Sequence, residues 1–594
     1  MSANYNPFGP RATRKTSLPD GSIHLVLDQP LASFPEKLTE KLVHWATQTP
    51  DAPFMARRHA AGEWQVMTYA DTLSQVRSLA QYLLNLNFGP DDTLVILSEN
   101  SLEHALLALA SLHVGMPYSP ISPAYSLVST DFGKLVHCLK LMTPKLVFAQ
   151  DGRVYANALQ RSKELFPEAT ILTAGEVFAD LLTTQPTSAV DAAFAAVGAD
   201  TVAKILFTSG STGLPKGVIN TQQMWCANLQ QITQAFPCLQ AAPPVFVDWL
   251  PWNHTFGGNH NVGMALYNGG VLYIDDGKPT AAGIQTTVRN LRELSPTAYF
   301  NVPKGFDMLL PYLEADAHLR ESFFKNLRFF FYAGASLAQP IWTRLEQLCQ
   351  ETTGRNVPII TGLGCTESGP SAMFAAWPGS FSGLLGVPVA DMNVRLVPNG
   401  DKLEARYKAP NVTPGYWRNP AATAQAFDED GYYKTGDAVR FLDDTDPDKG
   451  LLFDGRIAED FKLSTGTWVN VGLVKASILA AGSPVVQDAV ITGLDQAFVG
   501  AILFLNPDAC RSLANLPANV PSLEVFRHET VARYVESLLR QLEETATGSA
   551  SRVAKAVIAL DPPSIDLGEI TDKGSLNQRA VLLHRAAVVA QLYA

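Results

Sequence analysis

The segment Thr208-Ser-Gly-Ser-Thr-Gly-Leu-Pro-Lys-Gly217 carries residue types suited to one kind of chemistry, the holding of a polyphosphate. Thr208, Ser209, Ser211 and Thr212 bear hydroxyls that donate to phosphate oxygens. Gly210 and Gly213 let backbone N–H groups come close, and Lys216 adds a mobile positive charge. The run is not a Gly-x-x-x-x-Gly-Lys-Ser/Thr loop, because Gly217 follows Lys216. A Ser/Gly-rich run also reads as a plain flexible turn. The Pro-Lys-Gly ending and the strand-like Ile205–Phe207 before it favour the phosphate reading.

Such a loop needs a strand to launch it and helices to cover that strand. Short apolar runs at 93–97, 146–148, 203–207, 245–247 and 327–331 alternate with helical spacing, as in Leu38, Leu42, Val43 and Ala46. The alternation predicts an α/β fold with parallel sheets under helices. Residues 1–36 read as an irregular arm, 183–199 as a surface connection, and the acidic 443–450 as a solvated loop. Residues 523–544 read as one long helix. A boundary near Gly455 separates a large domain, 37–455, from a smaller α/β lobe, 456–594.

The chain has 594 residues, 47% apolar and 17% charged, enough for several buried cores. Its net charge of −11, without a dense basic block, argues against nucleic acid as a partner. Cys138, Cys226, Cys238, Cys349, Cys365 and Cys510 lie too far apart in sequence for a zinc motif or disulfide framework, so reduced thiols in a cytoplasmic protein are expected. No apolar run of about 18 residues predicts a membrane span. Arg11, Arg14 and Lys15 precede the first acid, but Pro7 and Pro10 break any amphipathic targeting helix.

From the loop onward, the sequence resembles the adenylate-forming superfamily of acyl-CoA synthetases, peptide-synthetase adenylation domains and beetle luciferases. Its other motifs follow in order. Trp249-Leu-Pro-Trp-Asn-His-Thr-Phe-Gly257 is similar to the Pro-x-x-His-x-x-Gly segment, which implies that His254 sits between nucleotide and acyl group. Tyr332-Ala-Gly-Ala-Ser336 resembles the turn against adenine, with Gly334 and Ala335 allowing a flat approach. Thr361-Gly-Leu-Gly-Cys-Thr-Glu367 resembles the Tyr-Gly-x-Thr-Glu segment, with Leu363 where Tyr is usual. It implies Thr366 on phosphate and Glu367 on Mg2+. Tyr433-Lys-Thr-Gly-Asp437 implies Asp437 on the ribose hydroxyls, and Pro414-Gly-Tyr-Trp-Arg-Asn-Pro420 also fits the pattern.

Gly455-Arg-Ile-Ala-Glu-Asp-Phe-Lys462 resembles the hinge between lobes. Arg456 would bind ribose or phosphate, Lys462 would approach in one lobe orientation, and Ala458 stands where an Asp or Lys pivot is usual. Gly466 corresponds to the glycine of the CoA channel. Glu569-Ile-Thr-Asp-Lys-Gly-Ser-Leu-Asn-Gln-Arg579 resembles the catalytic-lysine segment, with Lys573 as the lysine and Glu-Ile-Thr replacing Pro-Lys-Thr. Taken alone, each of these residues reads more readily as a solvated side chain or an ordinary turn; their order is what carries the resemblance.

The resemblance implies a large N-terminal domain of helix-covered mixed sheets plus a β-subdomain, and a small mobile α/β C-terminal lobe. It implies ATP, Mg2+ and coenzyme A as cofactor and co-substrates, a small-molecule carboxylic acid as substrate, and a monomer or homodimer. The Glu459-Asp-Phe-Lys-Leu-Ser-Thr-Gly466 and Gly362-Leu-Gly-Cys-Thr-Glu367 segments look most like those of bacterial feruloyl-CoA synthetases, which implies a hydroxycinnamate such as ferulate. Trp252, Phe256 and Phe374 fit a flat ring or simple core packing. Fatty or other aryl acids remain open, as does a stand-alone enzyme loading a carrier protein, for which Asp248 is placed near an amino-group site. The stretch after Lys573 is too short for a carrier domain.

Overall fold

The computed structural model describes residues 7–59, 61–208, 213–571 and 574–594. An eleven-stranded sheet runs through the larger part of the chain, from the edge hairpin Thr13–Ser17 and Ile23–Leu27 to Ala298–Asn301. A six-stranded sheet holds Lys216–Thr221, Val202–Thr208, Tyr118–Pro120, Leu94–Ile96, Leu146–Ala149 and Thr170–Thr173 in that order. A four-stranded sheet contains Val245–Asp248 and Val271–Ile274. These sheets mix parallel and antiparallel neighbours, as expected for helix-covered mixed sheets.

Packing follows sequence pattern. Helix Leu102–Val114 is Leu/Ala-rich around its whole circumference and is buried on nearly every side. The Ser101 hydroxyl caps its start by accepting from His104 N, and Gly115, at φ 78°, ends it in the left-handed region. The C-terminal lobe has a core of its own, with Phe461, Val469, Val474, Ile491, Leu503, Val535 and Leu538 packed together. Its three-stranded sheet is Val486–Thr492, Val499–Leu505 and Val553–Ile558.

Four expectations are corrected. Residues 13–27 are not irregular. They form the edge hairpin, and Ile23–Leu27 adds to strand Asn393–Asn399. The polar Thr-Arg-Lys-Thr-Ser run hides an edge strand because its faces are exposed. The acidic 443–450 loop is not merely solvated: Asp448 Oδ1 accepts from Thr13 N at 2.7 Å and Thr13 Oγ1 at 2.9 Å. Residues 188–196 form a helix, capped by Thr187, as their alanine content favours. The 523–544 helix is two, Ser522–Phe526 and Glu529–Thr545. They are parted where His528 turns extended and its ring accepts from Thr530 N.

Among the described residues, no helix is long and apolar enough to cross a membrane. None of the six cysteines is joined in a disulfide.

Candidate active site

Strands Val202–Thr208 and Lys216–Thr221 pair antiparallel at a sheet edge, with Thr208 opposite Lys216, so the segment predicted to hold phosphate joins two paired strands. Thr208 and Lys216 are half-buried at its two feet, and Gly213 is exposed at φ 102°. Ser209, Gly210, Ser211 and Thr212 lie outside the described residues, as does Lys573.

A second segment is strapped to this hairpin. Trp417 N donates to Gly217 O at 2.7 Å, and Ile219 N donates to Gly415 O at 3.1 Å. This sets the Tyr416 ring 5.0 Å from Lys216 Nζ, a cation–π contact. A Cβ on Gly217 would meet Ile205 Cγ2 at 2.7 Å, so any larger residue would have to displace that side chain. The Tyr416 hydroxyl donates to Glu367 Oε1 at 2.9 Å, which carries the loop's surroundings onto the candidate metal carboxylate.

Glu367 lies in the single tight turn Thr366–Ser368 that ends strand Ile359–Gly364. Cys365 N donates to Ser368 Oγ at 3.0 Å, Thr413 N donates to Glu367 O at 2.8 Å, and Asn411 Nδ2 donates to Ser368 O at 2.6 Å. Thr366 and Glu367 are both buried, so Glu367 is not a solvated surface acid. Among the described residues, no group of three or more His, Cys, Asp or Glu side chains is placed to hold a metal. One carboxylate beside a phosphate loop nevertheless fits Mg2+, which takes the rest of its shell from phosphates and water.

Asp437 and Arg456 face each other across neighbouring strands, with Arg456 Nε 3.2 Å from Asp437 Oδ1. The approach lacks hydrogen-bond alignment, and buried Oδ1 has no hydrogen-bond donor among the described residues. Burial pushes the Asp437 carboxyl up; Arg456 opposes this, while Glu459, Glu367 and Glu404 add to it. A buried carboxylate oxygen that lacks a donor fits a ribose diol. The same carboxylates, Glu367 and Asp437, act on Cys365, whose thiol burial holds far up in its neutral form. Glu367, Asp437, Arg456, Cys365 and Tyr416 therefore share one corner.

In the segment of the His254 motif, the chain turns at Pro251–His254 and enters a π-helix, Phe256–Asn261. Gly257 and Gly258 permit this wide turn: a Cβ on either would fall 2.2–2.5 Å from the carbonyls of Leu250, Pro251 or Trp252. His254 N donates to Pro251 O at 3.1 Å, and its Nε2 lies 3.5 Å from Asn253 Nδ2. Two side chains missed in the sequence hold the helix. Lys204 Nζ donates to Gly258 O at 3.2 Å while lying 3.4 Å over the Trp225 ring, and Trp225 Nε1 donates to Asn259 O at 2.9 Å. Lys204 is fully buried, which pushes its ammonium pKa well down. Gly334, at φ 90°, stands in open space, where a Cβ would meet only Val302 Cγ1, at 3.9 Å. Gly334 and Ala335 are both exposed after strand Phe329–Tyr332. Trp252 packs edge-on to His104 at 5.0 Å, the core reading of that residue.

The hinge is tied across the lobes. Lys402 Nζ donates to Asp454 O at 2.7 Å and to Asp460 Oδ2, and Asp460 Oδ1 accepts from Val471 N at 3.0 Å. Ala458 is exposed in the turn, so Asp460 supplies the lobe-spanning carboxylate. Lys462, exposed over Trp468 at 5.0 Å, and Gly466, at φ 84°, sit on a small-lobe hairpin with partners in that lobe. They are not brought to the Glu367–Asp437 corner. The segment leading to residue 573 is instead docked on the large domain. Asp566 Oδ2 accepts from Thr130 N at 3.1 Å and Oγ1 at 2.8 Å, and Lys134 Nζ donates to Ile565 O. Helix Gly133–Met142 then reaches the phosphate hairpin through His137 Nε2 and Pro215 O, 2.9 Å apart. The Glu-Ile-Thr departure has a physical reason: buried Glu569 accepts from Arg585 Nε at 2.9 Å and Nη2 at 2.8 Å.

Residues 42–417 match the family model described as AMP-binding enzyme, and 460–594 match the AMP-binding enzyme C-terminal domain. The long-chain-fatty-acid–CoA ligase FadD15 of Mycobacterium bovis is 25% identical over 90% of this chain and 93% of its own. Two solved structures share the fold. The anthranilate CoA ligase AuaEII in complex with anthranoyl-AMP has TM-score 0.73 and 19% identity over 95% of this chain and 99% of that one. ATP-bound MatB from Rhodopseudomonas palustris has TM-score 0.67 and 20% identity over 93% and 99%. Motifs, converging geometry and matched domains lead to one statement: this chain belongs to the AMP-binding enzyme family, the adenylate-forming enzymes that use ATP, Mg2+ and CoA.

Proposed function

We propose that this enzyme joins a hydroxycinnamate such as ferulate to coenzyme A by way of an acyl-adenylate. The observation that carries the reading is the aromatic cluster around His260, on the helix that follows the His254 turn. Phe256, Phe300 and Phe331 surround His260, and Phe374 stands 5.8 Å from Phe331. Edge and face contacts of this kind suit a flat aromatic acid.

In the proposed first step, the acid oxygen attacks the α-phosphorus of ATP and pyrophosphate leaves. Positioning and charge neutralisation carry this step. Thr208, Ser209, Gly210, Ser211, Thr212, Gly213 and Lys216 hold the phosphates, with Thr366 beside them. Gly334 and Ala335 flank adenine. Asp437 and Arg456 hold ribose. Glu367 holds Mg2+, which supplies positive charge to the phosphates when bound. Lys573 bridges the acid and the α-phosphate, and His254 stands between the two. In the second step the CoA sulfur attacks the acyl carbon, the bond to AMP breaks, and the thiol proton is lost. Lys462 and Gly466 then face the site after the 456–594 lobe turns.

The relative FadD15 supports a second reading, a fatty acid as substrate. Pyrophosphate release across cinnamates, benzoates and fatty acids, with and without CoA, separates the two. Highest kcat/KM on hydroxycinnamates, with CoA thioester formed, is expected. Preference for fatty acids would replace the aromatic reading, and release without thioester would move the enzyme to carrier loading.

A further inference from the structure

Six buried polar atoms without a hydrogen-bond partner among the described residues fall within one short segment. They are Asp248 Oδ2, Trp252 Nε1, Thr255 Oγ1, Asn259 Oδ1, His260 Nε2 and Asn261 Nδ2. Buried polar groups are ordinarily paired, so a run of this kind marks a place that solvent or a ligand completes. The segment is the one that carries His254, and π-helical turns recur at functional sites.

Of the six, His260 Nε2 is the atom set among rings. Its imidazole stacks on Phe331 with centroids 5.6 Å apart and meets Phe300 at 4.8 Å and Phe256 at 5.6 Å. Phe256 alone among these rings is only half-buried, so it stands at the open side. The tautomer follows from the neighbours. His260 Nδ1 lies 2.8 Å from Asn261 Oδ1, and an amide oxygen only accepts, so Nδ1 carries the proton. The Asn261 amide is oriented this way round because its nitrogen faces the Asp248 carboxyl, beyond hydrogen-bond geometry but close enough to favour the ionised acid. Nε2 is then a lone pair and accepts only. Burial pushes the imidazole down to about 4, which keeps it neutral in use.

We propose that His260 is a specificity-determining residue that accepts a hydrogen bond from a hydroxyl at the far end of the acid substrate. It lies six residues beyond His254, in the π-helix that the His254 turn leads into. An aliphatic acid with a plain methyl terminus leaves Nε2 unpaired, and an unpaired buried acceptor opposes binding. The placement of the ring rests on the hydroxycinnamate reading; the acceptor role does not.

The test measures kcat/KM for pyrophosphate release with cinnamate, 4-hydroxycinnamate, an unsubstituted medium-chain fatty acid and its ω-hydroxy form. The enzyme as it stands should prefer the hydroxylated member of a turned-over pair by about 10–100-fold. His260→Phe, similar in volume, should reduce that ratio to about threefold or less. Asn261→Leu, which frees the tautomer, should reduce it part of the way and serves if His260→Phe does not fold. A hydroxyl preference confined to the fatty pair and erased by His260→Phe keeps the acceptor and removes the ring reading. An unchanged ratio in both variants, or no hydroxyl preference in either pair, overturns the proposal.

Discussion

The corner proposed for the nucleotide and the corner proposed for the acid are built on different terms. Around Glu367, segments distant in sequence are drawn together and bonded to one another: Tyr416 to Glu367, Thr413 to the Glu367 carbonyl, Trp417 to Gly217. Around His260, one continuous segment, 248–261, supplies the polar groups, and six atoms are left unpartnered among the described residues. A corner whose ligand never changes can be bonded in advance except where that ligand enters, here at Asp437 Oδ1. A corner that must choose among acids keeps some bonding for the acid to complete, and the unmet atoms then penalise the wrong one.

The comparison breaks if changes at the nucleotide corner alter the choice of acid. Lys573→Ala should give the largest effect, a loss on the order of 100-fold or more in pyrophosphate release, equal for all acids accepted. Thioester formation from supplied acyl-adenylate and CoA should persist, because that half-reaction does not need charge on the α-phosphate. Normal adenylation in the variant would remove Lys573 from the role its motif implies.

How much of this was legible beforehand differs between the corners in the same way. Glu367, Asp437 and Arg456 sit in segments whose order along the chain resembles a known series, and the structure brings those three together. The partner that orients Glu367 was within a quoted segment, as Tyr416, yet nothing in its spacing told that its hydroxyl would cross to a turn far away in sequence. Lys204 occupies a strand position where apolar residues are usual, and the π-helix carbonyl above it, with the Trp225 ring beneath, explains a buried amine there. His260 looks like any core histidine until Asn261 is seen to fix its tautomer. The two lobes were legible from hydrophobic runs, whereas the Thr13–Ser17 edge strand and the break at His528 were not. The edge strand depends on pairing with chain that lies elsewhere, and the break on a cap that the His528 ring supplies to Thr530 N.

A middle-sized effect sharpens the contrast. Tyr416→Phe removes a hydrogen bond to a carboxylate, worth about 1.5–3 kcal/mol. Glu367 loses its fixed direction while the acyl side is untouched. About 5–20-fold more Mg2+ should be needed for half-maximal rate, and direct Mn2+ binding in the presence of ATP should weaken in parallel. The ratio among acids should not move. A shifted acid ratio with unchanged metal requirement would mean that the corners are not separate.

The last effect concerns stability rather than rate and tests whether the proposed acyl corner is as dry as its unpaired atoms imply. Burial pushes the Asp248 carboxyl up to about 7, opposed by the Asn261 amide and the Leu250 N–H and reinforced by Asp275. A carboxyl raised in the fold binds its proton there at pH values where the unfolded chain has released it. Asp248 therefore stabilises most fully below its ordinary value near 4, and that contribution is lost as pH rises through about 7. Asp248→Asn keeps the shape and cannot ionise. Its melting temperature, relative to the unaltered protein, should climb by several degrees between pH 5 and pH 8 and then level off, an effect on the order of a few kcal/mol. A difference that is flat with pH would show that water reaches Asp248. The acyl corner would then be solvated, with nothing withheld for the substrate to complete.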